Sequence, residues 1–188
     1  MPASLFVFMG LIGSGKSTLA RAFAAEFSLS CYNTDIVRKE LAGKAPDSRQ
    51  GATFNQGIYS PEFSRLTYDA LRDHARNELD LGRSVVLDGS YQKRTERGLL
   101  IECTAQCGAP IYFILCQCDE GETKRRLDIR AKDPGAVSDG TWEIYQQQKK
   151  SMEFPHEIPA AGLLVIDSSQ PVSFLLAELK DKLAHALT

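Results

Sequence analysis

Short apolar, β-rich runs alternate along this chain with longer stretches in which apolar residues recur every three or four positions. The runs predict strands at residues 5–9, 30–34, 84–87, 111–116 and 163–166. The periodic stretches predict helices at residues 16–27, 62–81, 94–107, 121–132, 141–153 and 172–187, the second closed by Gly82 where a left-handed residue ends a helix. Such alternation predicts a parallel sheet flanked by helices, an α/β fold. The first, third, fourth and fifth runs are almost wholly apolar, as when both faces of a strand are covered, and these four are expected to be central. The last helix carries Phe174, Leu175, Leu179 and Leu183 on one stripe and is expected to pack on the sheet. Residues 43–61 and 131–140 break the pattern. Loops of that length in a small domain are commonly functional.

Composition adds exclusions. At 188 residues one complete core is expected, a single domain over residues 1–188. Hydrophobic residues make up 43% and charged residues 24%, and no apolar run approaches the roughly 20 residues that span a bilayer, so no membrane partner is expected. Residues 5–12 lack a preceding basic residue and are broken by Gly10, and read as a buried strand rather than a leader. A net charge of −2 offers no global positive field for a long polyanion. The five cysteines lack paired CxxC spacing and read as reduced, cytoplasmic thiols, with Cys116 and Cys118 packed as small hydrophobes on one face of an apparent strand. His74, His156 and His185 have no ligand-spaced neighbour, so no structural metal is expected.

Between the first strand and the first helix stands Gly10-Leu11-Ile12-Gly13-Ser14-Gly15-Lys16-Ser17, which fits GxxxxGKS/T without a mismatch and in the required context. The glycines let successive backbone N–H groups turn inward, and the helix beginning near Lys16 adds the positive end of its dipole. The loop therefore predicts a bound nucleoside triphosphate. Lys16 is expected to reach the β- and γ-phosphates, Ser17 to complete a Mg²⁺ shell, and Thr18 to cap or pack.

A second magnesium ligand is expected at Asp88, which ends the run Val85-Val86-Leu87 at the carboxyl edge of the sheet; the alternative is an aspartate capping the turn at Gly89 and Ser90. The residues after Asp88 include no glutamate to orient water, and the chain lacks the NKxD sequence that reads guanine, so ATP is the expected nucleotide. Asp35 closes the second strand and opens a short helix. It serves either as the helix cap or as a carboxylate facing the γ-phosphate, where it would accept the proton of an attacking hydroxyl. Arg38, one turn later, clamps an acceptor or phosphate, or is a solvated helix residue.

Lys124, Arg125, Arg126 and Arg130 cluster before the second irregular stretch. Arg126 and Arg130 are one turn apart, which costs a few tenths of a kcal/mol unless an anion lies between them. They predict a lid around residues 124–141 whose arginines cover the transferring phosphoryl group; the alternative is salt bridging, for which Glu122 and Arg126 have the favourable order.

Taken together, these segments resemble the small P-loop kinases of the polynucleotide kinase, gluconate/shikimate kinase and chloramphenicol phosphotransferase group, and above all a family of predicted bacterial kinases often fused to an aminoglycoside-phosphotransferase-like domain. The resemblance covers almost the whole chain: Gly10 to Thr18, Asp35 to Leu41, Gly57-Ile58-Tyr59-Ser60-Pro61, Val85 to Asp88, Arg126 to Arg130, Ser138-Asp139 and Gln146 to Gln148. It implies a P-loop NTPase three-layer αβα sandwich with a five-stranded parallel sheet, nucleoside-kinase-like, with a lid. It also implies Asp35 as general base, Arg38 in contact with substrate, and Arg126 and Arg130 in the lid. Two features depart from the family. Its Asp-Ala-Thr-Phe pattern reads Asp88-Gly89-Ser90-Tyr91 here, and no phosphotransferase-like partner domain is expected. Lys93, Arg94 and Arg97 follow the altered segment and are candidates to line the acceptor pocket, with Arg94 the substrate-binding choice; solvated helix charges are the alternative. Three functions remain open: an ATP-dependent kinase of a hydroxyl-bearing small molecule, a polynucleotide 5′-hydroxyl kinase acting on a nucleic acid end, and an ATP-gated binding module.

Overall fold

A computed structural model describes residues 2–45, 57–133 and 140–187. Five strands form one sheet: β1 (Leu5–Met9), β2 (Ser30–Asn33), β3 (Val85–Asp88), β4 (Ile111–Gln117) and β5 (Leu163–Asp167). All neighbours pair in parallel, in the order β2-β3-β1-β4-β5. The helices are α1 (Lys16–Glu26), α2 (Thr34–Leu41), α3 (Pro61–Asp80), α4 (Arg94–Gln106), α5 (Glu120–Ala131), α6 (Trp142–Ser151), α7 (Val172–Lys182) and the short α8 (Ala184–Leu187). Residues 172–187, expected as one helix, break at Leu183, which follows the last turn of α7 and stays buried.

Strand alternation sorts the core into two layers. Leu5, Val7 and Met9 face Leu71, Ala75 and Leu79 of α3 and Leu100 of α4, whereas Phe6 and Phe8 face Leu19 and Phe23 of α1 and Leu175 and Leu179 of α7. Helices therefore cover both sides, and β1 is buried along its whole length. Each fully buried large side chain contributes about 1.5–3 kcal/mol, so this central strand anchors the element next to it, the phosphate loop.

Two expectations need correction. β5 is an edge strand rather than a central one, and Val165 is 48% exposed. Its apolar run reflects cover on part of each face, not a neighbour on each side. Cys118 lies beyond the end of β4, where its thiol meets the Thr123 hydroxyl at 3.1 Å rather than sharing a strand face with Cys116. Burial pushes the Cys116 thiol up to about 12, and Cys31, also moved mainly by burial, to about 12, which keeps both thiols protonated near neutral pH.

Candidate functional site

Because all strands run the same way, Met9, Asn33 and Asp88 end at one edge of the sheet, the edge at which α/β folds hold ligands. The chain leaves β1 through Gly10 at φ +142°, where an added Cβ would collide with the Cys116 carbonyl oxygen. Gly15, at φ +82°, ends the loop with a guanidinium nitrogen of Arg126 2.8 Å from where a Cβ would sit. Gly15 caps α1 without any side-chain hydrogen bond, so the first amides of that helix remain available to an anion. Ser14 is buried, its carbonyl accepts from the Ser168 hydroxyl, and its own Oγ has no hydrogen-bond partner among the described residues. Ile12 N donates to Gln148 Oε1 at 2.9 Å, tying the loop to α6. Lys16 Nζ folds back to within 3.5 Å of the Leu11 carbonyl, and Thr18 stands exposed in the first turn of α1.

Beside the loop, Asp88 is 1% exposed and accepts from Ser17 Oγ at 3.1 Å and from Asn33 Nδ2 at 2.5 Å. Burial raises its carboxyl above the usual range, against the pull of Lys16, Ser17 and Asn33 and with a further push from Asp35. Asp88 is not spent on a turn of its own; its backbone carbonyl takes the Thr34 hydroxyl at 2.8 Å. A desolvated carboxylate and a hydroxyl converging in this way are hard oxygen donors of the kind Mg²⁺ takes. Together with the Ser14 hydroxyl, unpartnered among the described residues, and a helix start without a side-chain cap, they fit a magnesium nucleotide.

At the next strand end the capping role falls to Asn33 rather than Asp35. Asn33 caps α2, its Oδ1 accepting from Asp35 N at 2.9 Å and Ile36 N at 3.1 Å. The Asp35 carboxylate is therefore not consumed by capping. It lines a cavity of about 720 Å³ that also contains Lys16, Ser17, Asp88, Arg38 and Arg130. Arg38 is a buried residue, not a solvated one: its guanidinium donates to the Ile58 carbonyl at 2.8 Å and Ser64 Oγ at 3.1 Å and lies over the Tyr59 ring, while Nε has no partner among the described residues.

The two arginines expected in a lid separate. Arg130, at the end of α5, lines the cavity, and the attraction of Asp35 and Asp88 partly offsets the burial that lowers its pKa. Arg126 instead bonds Glu122 at 2.7 Å and the Ser168 carbonyl at 2.7 Å, on the Gly15 side of the loop. Arg126 thus forms the salt bridge given as the alternative, with its guanidinium against Gly15. Residues 134–139, including Ser138 and Asp139, and residues 46–56 lie outside the described residues.

The far half of the cavity is made by Tyr68, Ser90, Tyr91, Glu96, Leu100 and Ile144 among others. Tyr91, at φ +42°, is 1% exposed, and its ring lies 5.0 Å from that of Tyr68. Its carbonyl is held at 2.8 Å by Arg97, which is fully buried and paired with Glu157 at 2.5 Å. Arg97 is thus a buried anchor and not a pocket wall. Arg94 is exposed and does not line the cavity; its backbone N–H, rather than its side chain, bonds Glu153 at 2.8 Å. Tyr68 and Glu96 escaped sequence reasoning. For Glu96 the signal was its place three residues after Lys93, where it accepts the Lys93 N–H at 3.4 Å as in a capping box. For Tyr68, inside a periodic helix, there was none.

Sheet order, phosphate loop and the carboxylate that ends β3 define a P-loop nucleotide-binding protein of the kinase fold. A family model described as AAA domain matches residues 5–155, and the chain belongs to that family. An uncharacterized protein of Mycobacterium tuberculosis is 29% identical over 80% of this chain, which spans 30% of that relative's length. A shikimate kinase of Xylella fastidiosa is 35% identical over 53% of this chain and 55% of its own. Among solved structures, a sugar kinase from Janibacter superposes with a TM-score of 0.72 at 24% identity, covering 100% of this chain and 99% of the other. An APS kinase of Mycobacterium tuberculosis, in complex with AMPPNP and APS, gives 0.69 at 20% identity over 97% and 98%. Among the described residues no helix is long and apolar enough to cross a membrane.

Proposed function

We propose that the protein is an ATP-dependent kinase that transfers the γ-phosphoryl group to a hydroxyl of a small molecule. The observation that carries this is the Asp35 carboxylate, released from capping by Asn33 and sharing a cavity with Lys16, Asp88 and Arg130. The similarity to a shikimate kinase and to structures described as sugar and APS kinases supports the same reading. In the reaction the acceptor oxygen bonds to the γ-phosphorus, its proton passes to Asp35, and the bond to the β-phosphate oxygen breaks to release ADP. Lys16 and the amides of Gly13 to Ser17 hold the β- and γ-phosphates, and Arg130 faces the charge on the moving phosphoryl group. Ser17 and Asp88 would hold Mg²⁺, whose charge neutralises the phosphate oxygens. Arg126, over Gly15, belongs on this reading to nucleotide binding, and Arg38 to the acceptor.

A screen of ATP consumption against alcohols, sugars, nucleosides and 5′-OH oligonucleotides, with Lys16→Ala as the blank, identifies the acceptor. With that acceptor, Asp35→Asn is expected to lower kcat by about 100-fold or more while ATP affinity stays within a few fold. Full turnover by Asp35→Asn would remove Asp35 as the base.

A further inference from the structure

The acceptor half of the cavity differs from the phosphate half in how its charges are spent. Arg72 is held by Asp69 at 2.9 Å and Lys93 by Glu153 at 3.2 Å, and Arg38 is engaged by Ile58 and Ser64. Arg65 lines the same region but is an exposed residue. An anionic acceptor would have to compete with Asp69 for Arg72 and with Glu153 for Lys93 and would lie beside Glu96, leaving Arg38, held by neutral partners, as the cation it could meet. A cationic acceptor would meet Arg38 and Lys93. What the lining offers instead is neutral hydrogen bonding. Tyr68 Oη and Ser90 Oγ share one hydrogen bond of 2.9 Å, so between them they retain donor and acceptor capacity. Glu96 lines the cavity and, among the described residues, accepts only a long bond, 3.4 Å, from Lys93 N. The tilted Tyr68 and Tyr91 rings, with Leu100 and Ile144, supply the apolar surface on which the C–H face of a ring or chain packs.

Resting on the kinase reading above, we propose that the acceptor is a neutral polyol, and that Glu96 determines specificity by accepting hydrogen bonds from two adjacent hydroxyls beside the one presented to Asp35. A carboxylate has two oxygens spaced to take two neighbouring O–H donors, as vicinal hydroxyls provide. Burial holds Glu96 up to about 7 in spite of Lys93, Arg97 and Arg38 nearby, a carboxyl that its surroundings leave short of donors. Ligand hydroxyls would supply them.

The test is binding first and turnover second. Wild-type protein loaded with a non-hydrolysable ATP analogue is titrated calorimetrically with neutral hexoses, inositols and pentitols, with the matching sugar acids and amino sugars, and with a 5′-OH oligonucleotide. A neutral polyol is expected to bind at least about tenfold more tightly than its acid or amine counterpart. Glu96→Gln is expected to weaken that polyol by about 10–100-fold, the range for a hydrogen bond to a charged group, without changing the affinity for the ATP analogue. On wild-type protein a deoxy polyol lacking one of the two hydroxyls should lose a comparable factor, and Glu96→Gln should add little to that loss. Tighter binding of a charged acceptor, equal binding of the polyol by Glu96→Gln, or no binding by any polyol overturns the proposal. Polyol binding without ATP consumption would leave it standing and sink the phosphotransfer reading; phosphate transfer to a charged acceptor does the reverse.

Discussion

The two halves of the cavity are built from different material. On the nucleotide side the contacts come from one continuous segment and largely from its backbone: the amides between Gly10 and Ser17, opened by positive φ angles and backed by a helix whose cap makes no side-chain bond. On the acceptor side they come from side chains of α2, α3, α6 and the turn after β3 with the start of α4, segments scattered along the chain. A backbone site tolerates side-chain variation but not a change of chain path. A side-chain site has the opposite weakness.

The largest effect should therefore follow from adding a single methyl group on the nucleotide side. Gly10→Ala would place its Cβ against the Cys116 carbonyl and 2.9 Å from Ser14 Oγ, at a φ of +142° that side-chain-bearing residues avoid. Moving the loop off β4 misaims every amide after it. ATP affinity should fall by at least about 100-fold, roughly 2.7 kcal/mol, in a nucleotide titration. Near-normal affinity would mean that the loop adjusts, and the contrast between the halves would weaken.

On the acceptor side the largest loss should come from a residue that does not reach the cavity. Arg97 has no exposed surface, ties the Tyr91 carbonyl in its left-handed conformation and neutralises Glu157, whose side chain is 14% exposed. Arg97→Met would strand that carboxylate and is expected to cost about 3 kcal/mol, a drop of about 6–12 °C in Tm for a chain of this size. Replacing both partners, as Arg97→Met with Glu157→Leu, should recover most of it, because two apolar side chains leave no buried charge. If the double variant is no better than the single one, the Tyr91 contact rather than the ion pair carries the cost.

A smaller effect, readable without any acceptor, concerns Glu96. Its neighbours are Lys93 at the start of its helix, Arg97 on that helix, Arg38 from α2, and the Tyr68 and Tyr91 hydroxyls, yet burial dominates and raises its pKa to about 7 from 4.5. The native state thus binds this proton more tightly than the unfolded one. Stability from this group is complete below pH 4.5 and is lost as pH rises to about 7. Glu96→Gln removes that dependence and should be about 1–2 kcal/mol more stable than wild type at pH 8, with the difference shrinking towards pH 5 in chemical unfolding. An identical pH profile for both proteins would show that Glu96 is hydrated.

How far each half was legible follows from the same contrast. The phosphate loop could be read because its chain path demands glycine at fixed positions next to a strand and a helix. The sheet could be read because strands covered on both faces become apolar runs, although that rule misplaced β5, whose run Leu163 to Ile166 is apolar at an edge. Asp35 stayed ambiguous because Asn33, two residues before it, has equivalent capping chemistry, and only coordinates show which one caps. Arg97 was unreadable for a different reason. Its partner lies 60 residues away, and local periodicity does not distinguish a buried arginine from a solvated one.

Arg94 gives the smallest expected change and the sharpest check on where the acceptor half ends. It stands between Lys93, which lines the cavity, and Arg97, which supports its floor, but its own side chain is exposed and outside. The contact at this position, the Glu153 carboxylate on the Arg94 N–H, survives any substitution other than proline. Arg94→Ala should therefore shift stability by no more than about 0.5 kcal/mol and leave the KM for the acceptor within about twofold. A larger rise in KM with kcat unchanged would place a substrate contact on the outer face of α4, and the acceptor half would then extend beyond the cavity that Tyr91 and Glu96 enclose.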